Sequence, residues 1–149
     1  MIVEAQVTIN GSKAAIWAAI TNIENASETI SGIEHIEVLE KPARGLVGLR
    51  WRETRTLFGK AATAEKWVTD AVENEFYKTK AESDGFVFLC TKRISESSGG
   101  VTLTESHESK PQGIVATLLS IPMGLLFKGV ARKAVLQDLS DIKAAVELE

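Results

Sequence analysis

Three groups of residues in this chain have the types and spacing to do chemistry. From Leu49 to Phe58 the residues alternate, so that Leu49, Trp51, Glu53, Arg55 and Leu57 share one side of an extended segment. An indole wall beside a carboxylate and a guanidinium can grip a ligand or stabilise charge on it, provided the desolvation of a buried ion pair is compensated. The next extended segment carries Thr63, Glu65, Trp67 and Thr69 on one side, and the Trp51, Glu53, Arg55 face is expected to continue through Glu65 and Trp67. In the third group, Glu105 and His107 follow Val101 and Leu103 on an alternating face that starts apolar and therefore points inward. An imidazole beside a carboxylate can exchange protons near neutral pH. Glu53, Arg55 and His107 are thus the candidate catalytic residues.

Each group also has a plainer reading. The Glu53 and Arg55 face would serve equally as an exposed ladder of charges. Two tryptophans on neighbouring strands stabilise a sheet by roughly 0.2–1 kcal/mol with no ligand present. A lone histidine near a strand end is commonly a hydrogen-bonded surface residue. Cys90 has Phe88 and Ile94 on its parity, which makes it a core or pocket-wall residue, and a buried thiol behaves as a small hydrophobe. No nucleophilic role is assigned to it.

Several chemistries are not expected. His35 and His107 are the only histidines and neither stands in a metal-ligand spacing, so no metal site is expected. No glycine-rich phosphate loop follows a strand, and no cofactor is called for. Net charge is −3 with Lys and Arg spread along the chain, so nucleic acid is not an expected partner. A single cysteine precludes an internal disulfide, and the opening MIVEAQVTI alternates like a strand without a basic start or cleavage site; a reducing cytoplasm is the expected compartment. The apolar run from Ile114 to Phe127 is too short to span a bilayer, which takes roughly 20 residues, and it contains Pro122.

The elements that must position these residues follow from periodicity. A length of 149 residues, 44% of them hydrophobic and 25% charged, fits one domain with one core, spanning residues 1–149. Val3, Val7 and Ile9 face inward from an opening strand, Ser12 caps the helix KAAIWAAITNI, and Ile16, Ile20 and Ile23 share one helical face. A helical turn or two is expected before Gly32. Alternation then resumes near 33–40, 49–58, 61–70, 75–82, 86–95 and 101–109, with short links that imply an antiparallel meander. Beyond Pro111 and Gly113 the chain reads as helix, with a break expected near Ser120–Pro122 and then a long amphipathic helix to the end.

This order gives an α+β fold: a curved, seven-stranded antiparallel sheet wrapped around a long C-terminal helix, with short helices after the first strand. The gap where helix and sheet diverge is a natural small-molecule site. The segments INGSKAAIWAAITNIEN, GLRWRETRTLFGKAATAEKWVT and LLSIPMGLLFKGVARKAVLQDLSDIKAAVE resemble the START-like (SRPBCC) superfamily, which includes the pollen-allergen fold and bacterial polyketide cyclase/dehydrase-like proteins. The resemblance covers essentially the whole chain and implies the helix-grip fold.

It also implies a small apolar ligand, lipid-like, polyketide or aromatic; the strand faces and the apolar run make Trp51, Glu53, Arg55, Glu65, Trp67, Phe88, Cys90, Glu105, Leu119, Met123 and Phe127 the residues expected to hold it. Binding or carriage of such a molecule is the first functional expectation. A cyclase/dehydratase-type enzyme using Glu53, Arg55, Glu65, Glu105 or His107 is the second, and a protein-interaction module the third. Monomer and homodimer both remain open.

Overall fold

In a computed structural model, the chain is described over residues 1–57, 59–83 and 85–148, with side chains described at all of these except 57, 83 and 114–127. Strand β1 (Ile2–Ile9) buries Val3, Ala5 and Ile9 while its alternate residues face out, the pattern expected of a half-buried strand. Ser12 then caps α1 (Lys13–Thr21), its Oγ accepting a hydrogen bond from the Ala15 N–H at 3.0 Å. Ile16 and Ile20 point inward from α1. A 3-10 turn (Ile23–Asn25) and the four-residue α2 (Ala26–Thr29) carry the chain to β2 (Ile33–Glu40).

The strands β3 (Arg50–Leu57), β4 (Lys60–Val72), β5 (Phe76–Ser83), β6 (Phe86–Ser97) and β7 (Gly100–Pro111) follow as consecutive antiparallel hairpins. β1 pairs with β7, giving the order β1-β7-β6-β5-β4-β3-β2 with β1 and β2 at the two edges. Pairing of β2 with β3 slips twice, between Ile33 and His35 and between Val38 and Glu40. Asn74 supplies the left-handed residue, φ 64°, that the tight β4–β5 turn needs.

Helix α3 (Ile114–Glu147) runs unbroken for 34 residues, so the break expected near Ser120–Pro122 does not occur. A proline removes one backbone donor and displaces one carbonyl; the bonds of the turns on either side carry the helix past it. Val135, Leu139, Ile142 and Val146 are the buried stripe of α3, and they pack with Ile9, Ile16, Ile20, Ile94 and Leu103 into the core. Burying each such side chain is worth about 1.5–3 kcal/mol. Polar contacts fix the C-terminal half of the helix in place: Lys143 Nζ donates to the Thr8 carbonyl at 2.8 Å, the Asn10 N–H donates to Glu147 at 2.9 Å, and Ser31 donates twice to Asp141. Gly11 is required here, because a Cβ would stand 2.8 Å from Val146 Cγ1.

Candidate functional site

The inner face of the sheet changes character along its strands. Near Ile9, Ile94 and Leu103 it is wholly apolar, whereas further along β3, β4, β6 and β7 the inward positions carry charge. Two linked clusters result.

The first joins β3, β4 and α3. Alternation puts Trp51, Glu53 and Arg55 on the inner side of β3, and hairpin pairing sets Lys66 opposite Trp51. Arg55 Nε donates to Glu53 Oε2 at 2.6 Å, and its two terminal nitrogens donate to the two Asp138 carboxylate oxygens at 3.2 and 2.8 Å. Lys66 Nζ donates to the same Glu53 oxygen at 2.9 Å, and Trp51 Nε1 donates to the other at 3.3 Å. Burial alone would push the Glu53 carboxyl up, but Lys66 and Arg55 outweigh it and hold it down at about 2. Asp138 goes the other way: burial raises its carboxyl and Arg55 offsets that only in part.

The second cluster joins β6 and β7. Glu105, 1% exposed, receives a hydrogen bond from His107 Nε2 to its Oε2 at 2.7 Å and faces Lys92 Nζ across 3.3 Å at its Oε1. That second oxygen has no hydrogen-bond partner among the described residues. Cys90 Sγ lies 3.7 Å from His107 Nε2 and accepts from Lys92 Nζ at 4.0 Å. Burial pushes the Cys90 thiol up, yet Lys92 and His107 reverse this and bring it below its ordinary value. Burial likewise disfavours the His107 imidazolium, and Cys90 and Glu105 overcome that to raise it. Tyr77 sits under Lys92, its ring centroid 5.4 Å from Nζ, and its hydroxyl donates to the Ile20 carbonyl at 2.9 Å.

Both clusters border open space. A narrow pocket of about 50 Å³ is lined by Trp51, Glu53, Lys92 and Glu105 among others. A wider cavity of about 340 Å³ is lined on its apolar part by Val3, Ala81, Phe88, Ala131, Ala134 and Val135, and on its polar part by Arg55, Lys66, Cys90, His107 and Asp138. Arg55, Lys66, Cys90 and His107 line both. A further cleft of about 640 Å³ lies between α1 and the β2–β3 connection, lined by Trp17, Arg44, Leu46 and Val47 among others. None of the residues of the two charged clusters reaches it.

Of the residues singled out from sequence, Trp51, Glu53, Arg55, Cys90, Glu105 and His107 converge on this region, and Phe88, 43% exposed, stands at the wider cavity. Glu65 and Trp67 do not. Arg50 pairs with Trp67 and Arg52 with Glu65 in the β3–β4 ladder, which puts both on the outer face; there Arg50 donates to Glu65 at 2.9 Å and lies 4.4 Å over the Trp67 ring. The inner face instead continues through Lys66. Cys90 lines both spaces, as its parity suggests, and its thiol lies between Lys92 and His107. The side chains of Leu119, Met123 and Phe127 lie outside the described residues.

Sequence reasoning passed over Lys66, Lys92 and Asp138. Asp138 had a readable signal, a carboxylate three residues after Val135 and four before Ile142 on the apolar stripe of α3. Among the described residues no group of three or more His, Cys, Asp or Glu side chains is placed to hold a metal ion, and no helix is long and apolar enough to cross a membrane.

No protein-family model and no curated protein matches the chain. Solved structures do. A START superfamily protein from Mycobacterium smegmatis aligns at TM-score 0.79 and 16% identity over 99% of this chain and 97% of its own. The Zhui aromatase/cyclase from Streptomyces sp. R1128 aligns at TM-score 0.75 and 13% identity, covering 99% and 93%. Ara h 8.0201 aligns at TM-score 0.75 and 16% identity, covering 100% and 99%. The seven-stranded antiparallel sheet, the short helices after β1 and the long C-terminal helix are the START-like helix-grip fold.

Proposed function

We propose that the protein binds a small molecule with an apolar body and a polar end in the cavity between the sheet and α3. The observation that carries this reading is the make-up of that 340 Å³ space: aliphatic and aromatic side chains form one part of its lining, and hydrogen-bonding charged groups from β3, β4, β7 and α3 form the other. Small-molecule pockets run from roughly 300 to 1,000 Å³ and combine apolar walls with a few polar groups that fix orientation. That one structural neighbour is an aromatase/cyclase supports a cavity used for small molecules.

Native mass spectrometry of freshly purified protein, followed by denaturing extraction, tests the reading without a guess about the ligand. A bound small molecule lost on Ala134→Phe, which fills the exposed mouth of the cavity, is the expected result. Repeated ligand-free preparations with no binding across lipid and aromatic panels would overturn it.

A cyclase/dehydratase-type activity is the second reading, and one observation favours it. His107 keeps 40% of its side-chain exposure while Glu105, almost fully buried, holds it at 2.7 Å, so a proton-carrying group faces the cavity from a fixed support. With a confirmed substrate, His107→Gln should lower kcat far more than it changes KM. Unchanged turnover in His107→Gln and Arg55→Met would sink this reading and leave binding standing.

A further inference from the structure

The strand register sorts the inner face into rows of increasing depth. Tyr77, Lys92, Glu105 and Ala5 stand side by side across β5, β6, β7 and β1; Thr79, Cys90, His107 and Val3 form the next row, and Ala81, Phe88 and Ser109 the third. The two spaces beside the charged clusters follow these rows. Of the two, the narrow pocket alone is lined by Tyr77, Lys92 and Glu105, the wider cavity alone by Ala81, Phe88 and Ser109, and both by Thr79, Cys90 and His107. Successive inward residues of a strand are about 7 Å apart, so the Glu105 row lies one such step beyond the inner end of the cavity.

One polar atom of the deepest row is open. Glu105 Oε1 is the one buried side-chain oxygen or nitrogen without a hydrogen bond among the described residues. Lys92 Nζ faces it across 3.3 Å without bonding to it; that ammonium donates to Cys90 Sγ at 4.0 Å and lies over the Tyr77 ring. The neighbouring carboxylates, Glu53 and Asp138, accept through both of their oxygens. Burial pushes the Glu105 carboxyl up, but Lys92 and His107 outweigh that and hold it well below its ordinary value, so Oε1 accepts and does not donate. A buried acceptor left unmatched is costly, and a donor that reaches a charged one gains more than from a neutral partner.

We propose that Glu105 Oε1 is the polar anchor of the ligand site, accepting a hydrogen bond from a neutral hydroxyl on the end of the ligand that passes Thr79, Cys90 and His107 into the narrow pocket. This rests on the cavity reading above and adds a ligand class to it: an alcohol or phenol with an apolar body. The hydroxyl suits the place on two counts. The narrow pocket, about 50 Å³, has room for a group the size of a water molecule, while the apolar body stays in the wider cavity against Ala81 and Phe88. An ammonium there would stand beside Lys92 and a carboxylate would face Glu105, whereas a neutral O–H brings no further charge to the row.

The test compares 2-naphthol with 2-methylnaphthalene, two neutral probes of one shape, by equilibrium dialysis at pH 7. Naphthol should bind the wild-type protein at least about tenfold more tightly. Glu105→Gln should abolish the difference, because the amide oxygen stays on His107 and an N–H group then stands where Oε1 was. Equal affinities in the wild-type protein, or a naphthol preference that survives Glu105→Gln, would overturn the anchor with the cavity reading intact. Should Glu105→Gln fail to fold, a crystal structure of the wild-type protein with 2-naphthol decides: the phenol oxygen is expected within hydrogen-bond distance of Oε1, and a water in that place with the phenol oxygen elsewhere would overturn the assignment. A copurified ligand without a hydroxyl would likewise overturn the anchor alone. No binding of either probe would overturn it too, and ligand-free native spectra besides would remove the cavity reading with it.

Discussion

The Arg55 cluster and the Lys92 cluster are built from the same kinds of residue and lie side by side, yet they do different work. In the first, every charge is matched and almost every hydrogen-bonding atom is used: both Glu53 oxygens accept, and both Asp138 oxygens bind the guanidinium. In the second, a carboxylate oxygen has no hydrogen bond among the described residues, and a thiol lies within reach of His107. A closed network ties β3 to α3; the other leaves a buried carboxylate oxygen without a hydrogen bond among the described residues.

The comparison is broken most directly at Arg55. Arg55→Met strands Asp138 and leaves Glu53 to Lys66 and Trp51, and should destabilise by about 3 kcal/mol, the lower end for breaking a buried pair because Arg55 keeps 24% exposure. Urea unfolding measures it; a loss under 1 kcal/mol would mean the network is not structural. Acid probes the same cluster. The Glu53 carboxyl is held at about 2 in the folded protein against 4.5 for the free group, so its contribution is present above pH 4.5 and lost as pH falls through about 2. The shift corresponds to a loss on the order of 3 kcal/mol in denaturation followed from pH 6 to pH 2, and Glu53→Gln should flatten that part of the curve.

The open cluster should yield less. Lys92→Met leaves Glu105 hydrogen-bonded to His107, so the expected cost is below about 2 kcal/mol. A cost equal to that of Arg55→Met would erase the distinction between the clusters. Smallest of all is Arg52→Ala on the outer face, where Arg52 and Glu37 pair at 2.8 Å with 44% and 51% side-chain exposure; such a pair is worth about 0–1 kcal/mol.

How much of this was legible in the sequence depends on which periodicity had to be read. Strand alternation over Ile2–Ile9 and Gly100–Pro111 is clean, so the inward aim of Val3, Ile9, Leu103, Glu105 and His107 could be assigned residue by residue. The β3–β4 hairpin shows where parity alone stops. Leu57 pairs with Lys60, a connection of two residues, and that spacing sets odd-numbered residues of β3 opposite even-numbered residues of β4. Reading the turn length at Phe58-Gly59 would have turned the face from Glu65 and Trp67 to Lys66. Asp138 was hidden differently, since counting apolar positions along a helix steps over the one charged residue that shares their side. The thiol's setting was beyond sequence reading altogether: Cys90 meets His107 across a strand pair 17 residues apart and depends on register.

An open sheet presents two outer strands, and for β2 the bare backbone is an invitation to another copy of the chain. The two slips in its pairing with β3 make that invitation a poor one. A foreign strand laid along β2 would lose step near Ile33–His35 and again near Val38–Glu40, and it would run past Glu34, Glu37 and Glu40 as it did so. Irregularities that look like imperfections in the sheet thus work as protection against fibrous growth from this edge, and straightening them by a one-residue deletion would be expected to trade solubility for regularity.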